Sequence, residues 1–265
     1  MSAQKLIFTI TAGRTGTAWL SKFIEFNSQY ESIHEPLEID DFGSRMPDIK
    51  TMRTFNDVGM TKSVVNFWEK KFETVNNLKS YSETNHTLSK CGLIEYMDQY
   101  TDLNKEVSII ILKRLDKVKQ AVSYLSRNDF FHVTLQWQWY LSYRYKRKLI
   151  KSKPFLEHGL IGIIFWYIYE MEARQEYYRI LYGDRFNFVD AALEEIVTPE
   201  GAKHLGSSLA IDKDLELPSP KNANKLQPTP EMIKLATNFN SICQIDPKEI
   251  AKKFINSGER LAFIK

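Results

Sequence analysis

Residues 11–20 read Thr-Ala-Gly-Arg-Thr-Gly-Thr-Ala-Trp-Leu. Backbone amides at a helix start are unpaired and carry the positive end of the helix dipole. A glycine-containing turn that brings them to one point makes an anion site. Gly13 and Gly16 supply such a turn here, Arg14 adds a planar cation, and Thr15 and Thr17 add hydroxyls. A phosphate-bearing ligand is expected. A nucleoside triphosphate with magnesium is disfavoured; a phosphotransferase that uses one, or an inactive nucleotide-binding module, is the alternative. Thr17 follows Gly16, where the G-x-x-x-x-G-K-[ST] pattern needs a lysine for the γ-phosphate and then a hydroxyl for the metal. The G-x-G-x-x-G pattern is also missing.

A second basic position, Arg114, follows the apolar run at 107–112 and its neighbour Lys113. Asp116 can cap a helix there, and Val118, Ala121, Val122 and Leu125 form that helix's apolar stripe. Ser123 lies about two turns beyond the cap, so it shares a face with the helix start. Arg114 can grip a phosphate bidentately while Ser123 completes the pocket.

Together the two segments resemble the sulfotransferases that use 3′-phosphoadenosine 5′-phosphosulfate (PAPS). Residues Gly13, Arg14, Thr15, Gly16, Thr17, Ala18, Trp19 and Leu20 are similar to that family's 5′-phosphosulfate loop: a basic residue, Ser or Thr, Gly, Thr, a small residue, then often Trp-Leu. The stretch from Arg114 through Gln120-Ala121-Val122-Ser123 resembles its 3′-phosphate signature, with a spacing one residue longer than is common. The resemblance implies a P-loop-like α/β fold, three layers α/β/α around a mostly parallel sheet. It also implies sulfuryl transfer from PAPS to a small-molecule hydroxyl (less often an amine), with PAP as product and no metal. Gly13 to Trp19, Arg114 and Ser123 would then bind the cofactor, and Arg14 would also stabilise the leaving phosphate oxygen. Trp19 matches a position that stacks on adenine, and is equally placed to be a core residue. Lys221, Asn222 and Lys225 loosely match a late basic loop that closes over the nucleotide.

The resemblance further implies a general base from one of two places. Glu35, in Ser32-Ile33-His34-Glu35-Pro36, is favoured; His86, in Glu83-Thr84-Asn85-His86, is the alternative. Their neighbours His34, Glu83 and Asn85 are expected to contact the acceptor. A Glu35→Gln variant is expected to keep PAP binding and lose transfer.

These residues need a scaffold, and hydrophobic periodicity supplies one. Strands are expected at 5–11, 30–35, 79–84, 107–112 and 186–189. Helices are expected at 17–26, 61–75, 87–100, 129–150 and 160–182, and after Asp116. Thr198-Pro199, Thr229-Pro230 and Asp246-Pro247 each mark a further helix start. Glu249 is placed to complete a capping box with Asp246, and Gly258 to end that last helix. Strands alternating with helices argue for a parallel sheet covered on both faces. Residues 1–265 are expected to form one domain, with 37–78 an insertion that either shapes the acceptor site or lies idle on the surface. Arg144, Lys146, Arg147, Lys148, Lys151 and Lys153 form either a polyanion patch or a solvated helix face.

Composition narrows the partners. A 43% hydrophobic, 13% aromatic chain has material for a packed core. With 36 Lys and Arg against 33 Asp and Glu, the net charge of +3 is too small to favour nucleic acid. Cys91 and Cys243 form neither a disulfide framework nor a metal spacing, which suits a reducing compartment. The longest apolar run, 159–169, falls short of the ~20 residues that span a bilayer. A cytoplasmic location is expected, and no sustained heptad gives the oligomeric state.

Overall fold

The computed structural model describes residues 4–36, 38–100, 105–127, 140–211, 215–219 and 227–262. Among these, five parallel strands form one sheet: β1 (Gln4–Ile10), β2 (Glu31–Ile33), β3 (Ser80–Glu83), β4 (Lys105–Lys113) and β5 (Asn187–Ala192). Their order is β2-β3-β1-β4-β5. Central β1 divides its side chains between two cores. Leu6, Phe8 and Ile10 join Val107 and Ile109 on one face. Ile7 joins Ile110, Leu112, Val189 and Ala191 on the other. Burial on both faces is why β1 and β4 read as near-continuous apolar runs.

Helices cover each face. On the second lie α1 (Thr17–Asn27), α8 (Leu193–Ile196) and α9 (Pro199–Ser208). On the first lie α2 (Ile49–Asp57), α3 (Lys62–Val75), α4 (Leu93–Tyr100), α5 (Lys117–Ser126), α6 (Lys153–Leu156), α7 (Gly159–Tyr182), α10 (Pro230–Ile242) and α11 (Pro247–Asn256). The fold is the three-layer α/β/α arrangement that the strand–helix alternation implies. The chain leaves β1 toward the β2 edge and returns on its other side at β4. Ligands in such sheets bind beyond the carboxyl ends of the strands at this reversal. The turns after β1 and β4 are the two segments singled out by their glycines and arginines.

Three expectations need correction. Residues 140–150 are irregular, not helical; 129–139 lie outside the described residues. Side chains of α7 capture the backbone of this segment. Glu170 accepts from the amides of Leu149 and Ile150, Arg174 donates to the Arg147 carbonyl, and Trp166 donates to that of Ile150. Next, the single helix expected at 87–100 is a short 3₁₀ turn, Leu88–Cys91, followed by α4. Gly92 breaks it at φ 87°, where a Cβ would stand 2.7 Å from Met60 Sδ and 2.8 Å from Phe55 Cε2. Lastly, Glu249 does not complete a capping box. It pairs with Lys252 at 2.8 Å, and Asp246 alone accepts the first-turn amides of Lys248 and Glu249.

Residues 38–78 contribute to the core. Met52 and Phe55 of α2 and Val64, Phe67, Trp68 and Phe72 of α3 belong to the first core. Among the described residues no helix is long and apolar enough to cross a membrane.

Candidate functional site

The loop after β1 is held from beneath by its carbonyls. Tyr124 donates to the Ala12 and Gly13 oxygens at 2.9 and 3.0 Å. Tyr167 donates to Ala12 at 2.6 Å, and Gln120 to Gly13 at 2.8 Å. The Thr11 and Thr15 hydroxyls bond each other at 2.5 Å, and Thr11 also accepts from the Gly13 amide. Gly13, Arg14 and Gly16 all have positive φ (94°, 58° and 87°). At φ 87° a side chain on Gly16 would be strained, and its Cβ would stand 2.5 Å from Leu193 Cδ1, which would have to shift.

No side chain caps α1 at Gly16. Helices α2, α5, α9, α10 and α11 are each capped by an Asp or Thr side chain. Helices α3 and α7 also lack a side-chain cap, but at α1 the uncapped amides follow a glycine turn beside Arg14, which suits an anion.

The two basic segments meet. Arg14 Nε donates to Ser123 Oγ at 3.0 Å, across 109 residues of sequence. Arg114 is close enough for the Arg14 charge to act on it. Burial lowers its pKa, the like charge of Arg14 adds to this, and Glu194 and Asp116 oppose it. Arg114 Nε is buried, with the Glu194 carboxylate 3.7 Å away. An arginine on a hydroxyl, with a second arginine near enough to feel its charge, is an arrangement that favours an anion.

The second centre lies beyond β2 and β3. Thr84 N donates to the Ile33 carbonyl and joins the two strand ends. His86 Nδ1–H donates to Glu35 Oε1 at 2.6 Å. Glu35 has φ 40°, a strained value for a non-glycine residue. Burial pushes its carboxyl up, but the His86 charge and hydrogen bond and the His34 charge outweigh this and hold it at about 2. Burial and the Lys90 charge push the His86 imidazole down, opposed by Glu35. Near neutral pH the pair is a carboxylate accepting from a neutral imidazole, with the lone pair on His86 Nε2. Loop and pair adjoin: a Cβ at Gly13 would stand 3.6 Å from His86 Cδ2.

No family model matches this sequence, and no curated protein matches it. A search of solved structures finds the crystal structure of a sulfotransferase from Alicyclobacillus acidocaldarius. It is 14% identical, aligned over 96% of both chains, with a TM-score of 0.46.

Several expected contacts sit elsewhere. Glu83 and Asn85, expected to touch the acceptor, are wholly buried and satisfied internally. Glu83 pairs with Lys71 at 2.7 Å and accepts from Tyr81 and Asn85. Asn85 Oδ1 accepts from both the amide and the hydroxyl of Thr87. They brace the strand end that carries His86. His34 stays at the site, 3.8 Å from Glu35 Oε2, with Nδ1–H donating to the Thr84 carbonyl. Of the two roles open to Trp19, the structure places its ring in the core. It stacks on Phe23 at 5.4 Å and donates to the Pro218 carbonyl. Lys113 pairs with Glu176. Arg147 and Lys148 donate to backbone carbonyls, while Arg144, Lys146, Lys151 and Lys153 are exposed. Lys221, Asn222 and Lys225 lie outside the described residues.

Lys90, Tyr124, Tyr167 and Glu194 were missed. Lys90 is buried with its Nζ 4.9 Å from the Tyr167 ring centroid. A lysine between Ser and Cys gives no local sign of burial. Tyr124 did carry one: Gln120, Ser123 and Tyr124 share a helix face at i, i+3 and i+4.

Proposed function

We propose that this chain is a sulfotransferase that takes the sulfuryl group of PAPS and places it on a hydroxyl of a small-molecule acceptor. One observation carries the reading: an uncapped glycine loop whose Arg14 reaches Ser123 also lies against the Glu35–His86 pair. The residues suit the donor. The amides opening α1, with Arg14, would hold its 5′-phosphosulfate, and Arg114 with Ser123 its 3′-phosphate. When bound, PAPS supplies a sulfuryl group on a good phosphate leaving group.

The chain's own residues do the rest. Arg14 would stabilise charge on the leaving phosphate oxygen. His86 Nε2 takes the proton of the acceptor hydroxyl. Glu35 fixes the tautomer and stabilises the imidazolium that forms. The two candidate bases thus act as one unit. Segment 37–78 is proposed to back the acceptor side from within the core, since Met46 Sδ lies 2.8 Å from Nδ2 of Asn85, the residue before His86. The free thiols Cys91 and Cys243 suit a reducing compartment.

The test is a thermal-shift series with PAP, ADP, and ATP plus magnesium, followed by labelled PAPS with an acceptor panel. A ligand at ~100 times its Kd stabilises by about 2.7 kcal/mol, several degrees for a chain this size. PAP should shift the midpoint most. A shift with ATP and magnesium alone would replace this reading with a phosphotransferase. PAP binding without turnover on any acceptor would leave a nucleotide-binding module.

A further inference from the structure

Glu194 stands in the first turn after β5, with no role assigned above. Its carboxylate spans the turn that carries Arg114. Oε2 accepts from the Leu115 amide at 3.0 Å, and Oε1 accepts from the Asp116 amide at 3.4 Å. The same Oε1 lies 3.7 Å from Arg114 Nε. One side chain therefore holds both the backbone of the turn and one edge of the guanidinium. The terminal nitrogens of Arg114 make no hydrogen bond among the described residues. They are the fork that grips a phosphate bidentately. The preceding residue, Leu193, packs against Gly16, so the turn bearing Glu194 is registered to the phosphate loop as well.

Resting on the PAPS reading, we infer that Glu194 is a positioning residue for 3′-phosphate recognition. It tethers the Arg114 turn, occupies the Nε edge and leaves the terminal nitrogens facing the ligand. It also supplies the negative charge that lets Arg114 sit beside Arg14 before any nucleotide arrives. Without it, the guanidinium loses its tether and turns away from its like-charged neighbour. The 5′-phosphate cradle is built from other residues and should keep its affinity.

Titration calorimetry on the full chain with PAP and with AMP, which lacks the 3′-phosphate, tests this. Glu194→Ala should weaken PAP by tenfold or more and change AMP by less than twofold. Arg114→Ala should lose the same preference, and the double variant should be no worse than Arg114→Ala alone. Glu194→Gln, which can still accept one amide, should fall between. If Glu194→Ala weakens both nucleotides equally, the residue is merely structural and the inference fails. Tighter PAP binding in that variant would make Glu194 a competitor for the pocket, which also overturns it. Failure of the underlying reading looks different: the unsubstituted protein would then show no preference for PAP over AMP.

Discussion

At the scale of single residues, the Glu35–His86 contact sets the expected kinetics. Loss of a positioned base costs roughly 10²–10⁴-fold, so His86→Gln should lower kcat within that range while PAP affinity holds. Glu35→Gln should lower it too, and the double variant should lie close to His86→Gln, because the two act together. The pH profile adds an independent check. The Glu35 charge raises the His86 pKa against burial and Lys90. Removing it must move the acid limb of kcat/KM to lower pH. An unmoved limb, or near-normal turnover in His86→Gln, would return the base role to Glu35 alone.

At the scale of elements, the buried pair Lys71–Glu83 joins α3 to the end of β3. Both side chains are almost fully buried, at 3% and 0% exposure. Breaking such a pair leaves a charge without compensation and typically costs about 3–5 kcal/mol. Glu83→Ala should therefore lower the urea-unfolding free energy by that order; a cost under ~1 kcal/mol would mean the lysine finds water. The element scale also shows what the sequence could reveal. β1, its loop and α1 were legible because apolar run, glycines and helix face follow one another without interruption from Gln4 to Asn27. The caps at Asp116, Thr198, Thr229 and Asp246 are local as well, and each accepts the amide it should. What stayed hidden depends on distant partners. Residues 140–150 are claimed by α7 across the core, Gly92 yields to Phe55 and Met60, and Glu83 turns inward to a lysine on α3. No window of sequence contains those contacts. The base pair was half-legible for the same reason. Each member stood out alone, but their 2.6 Å contact links residues 51 apart.

At the scale of the whole molecule, one buried carboxyl gives the fold a pH signature. Glu95 in α4 is 2% exposed. Burial raises its pKa to about 7 from 4.5, only partly offset by hydrogen bonds, including that from Tyr178, and by the Arg174 charge. The folded form holds the proton more tightly than the unfolded one. The resulting stability is complete below pH ~4.5 and fades as pH rises toward about 7, by an order of 3 kcal/mol at most. Other carboxylates with lowered pKa values, Glu35 among them, act in the opposite sense at lower pH. Glu95→Gln should remove the loss between pH 5 and 8 and raise the midpoint at pH 8. An unchanged slope between those pH values, by differential scanning calorimetry, would place the proton elsewhere.

β2 has three residues and pairs only with β3, at the edge of the sheet. The Glu35 carboxylate hangs just beyond its end, whereas the phosphate loop springs from β1, paired on both sides. Edges with few ladder bonds open first. Amides at 31–33 should therefore exchange with deuterium faster than those at 6–10, and saturation with PAP should slow 13–19 while leaving 31–33 nearly unchanged. The strand end that carries Glu35, which orients the base, would then breathe independently of the nucleotide-holding loop. That difference favours an order of events in which nucleotide docks on a rigid shelf and the acceptor closes the looser rim.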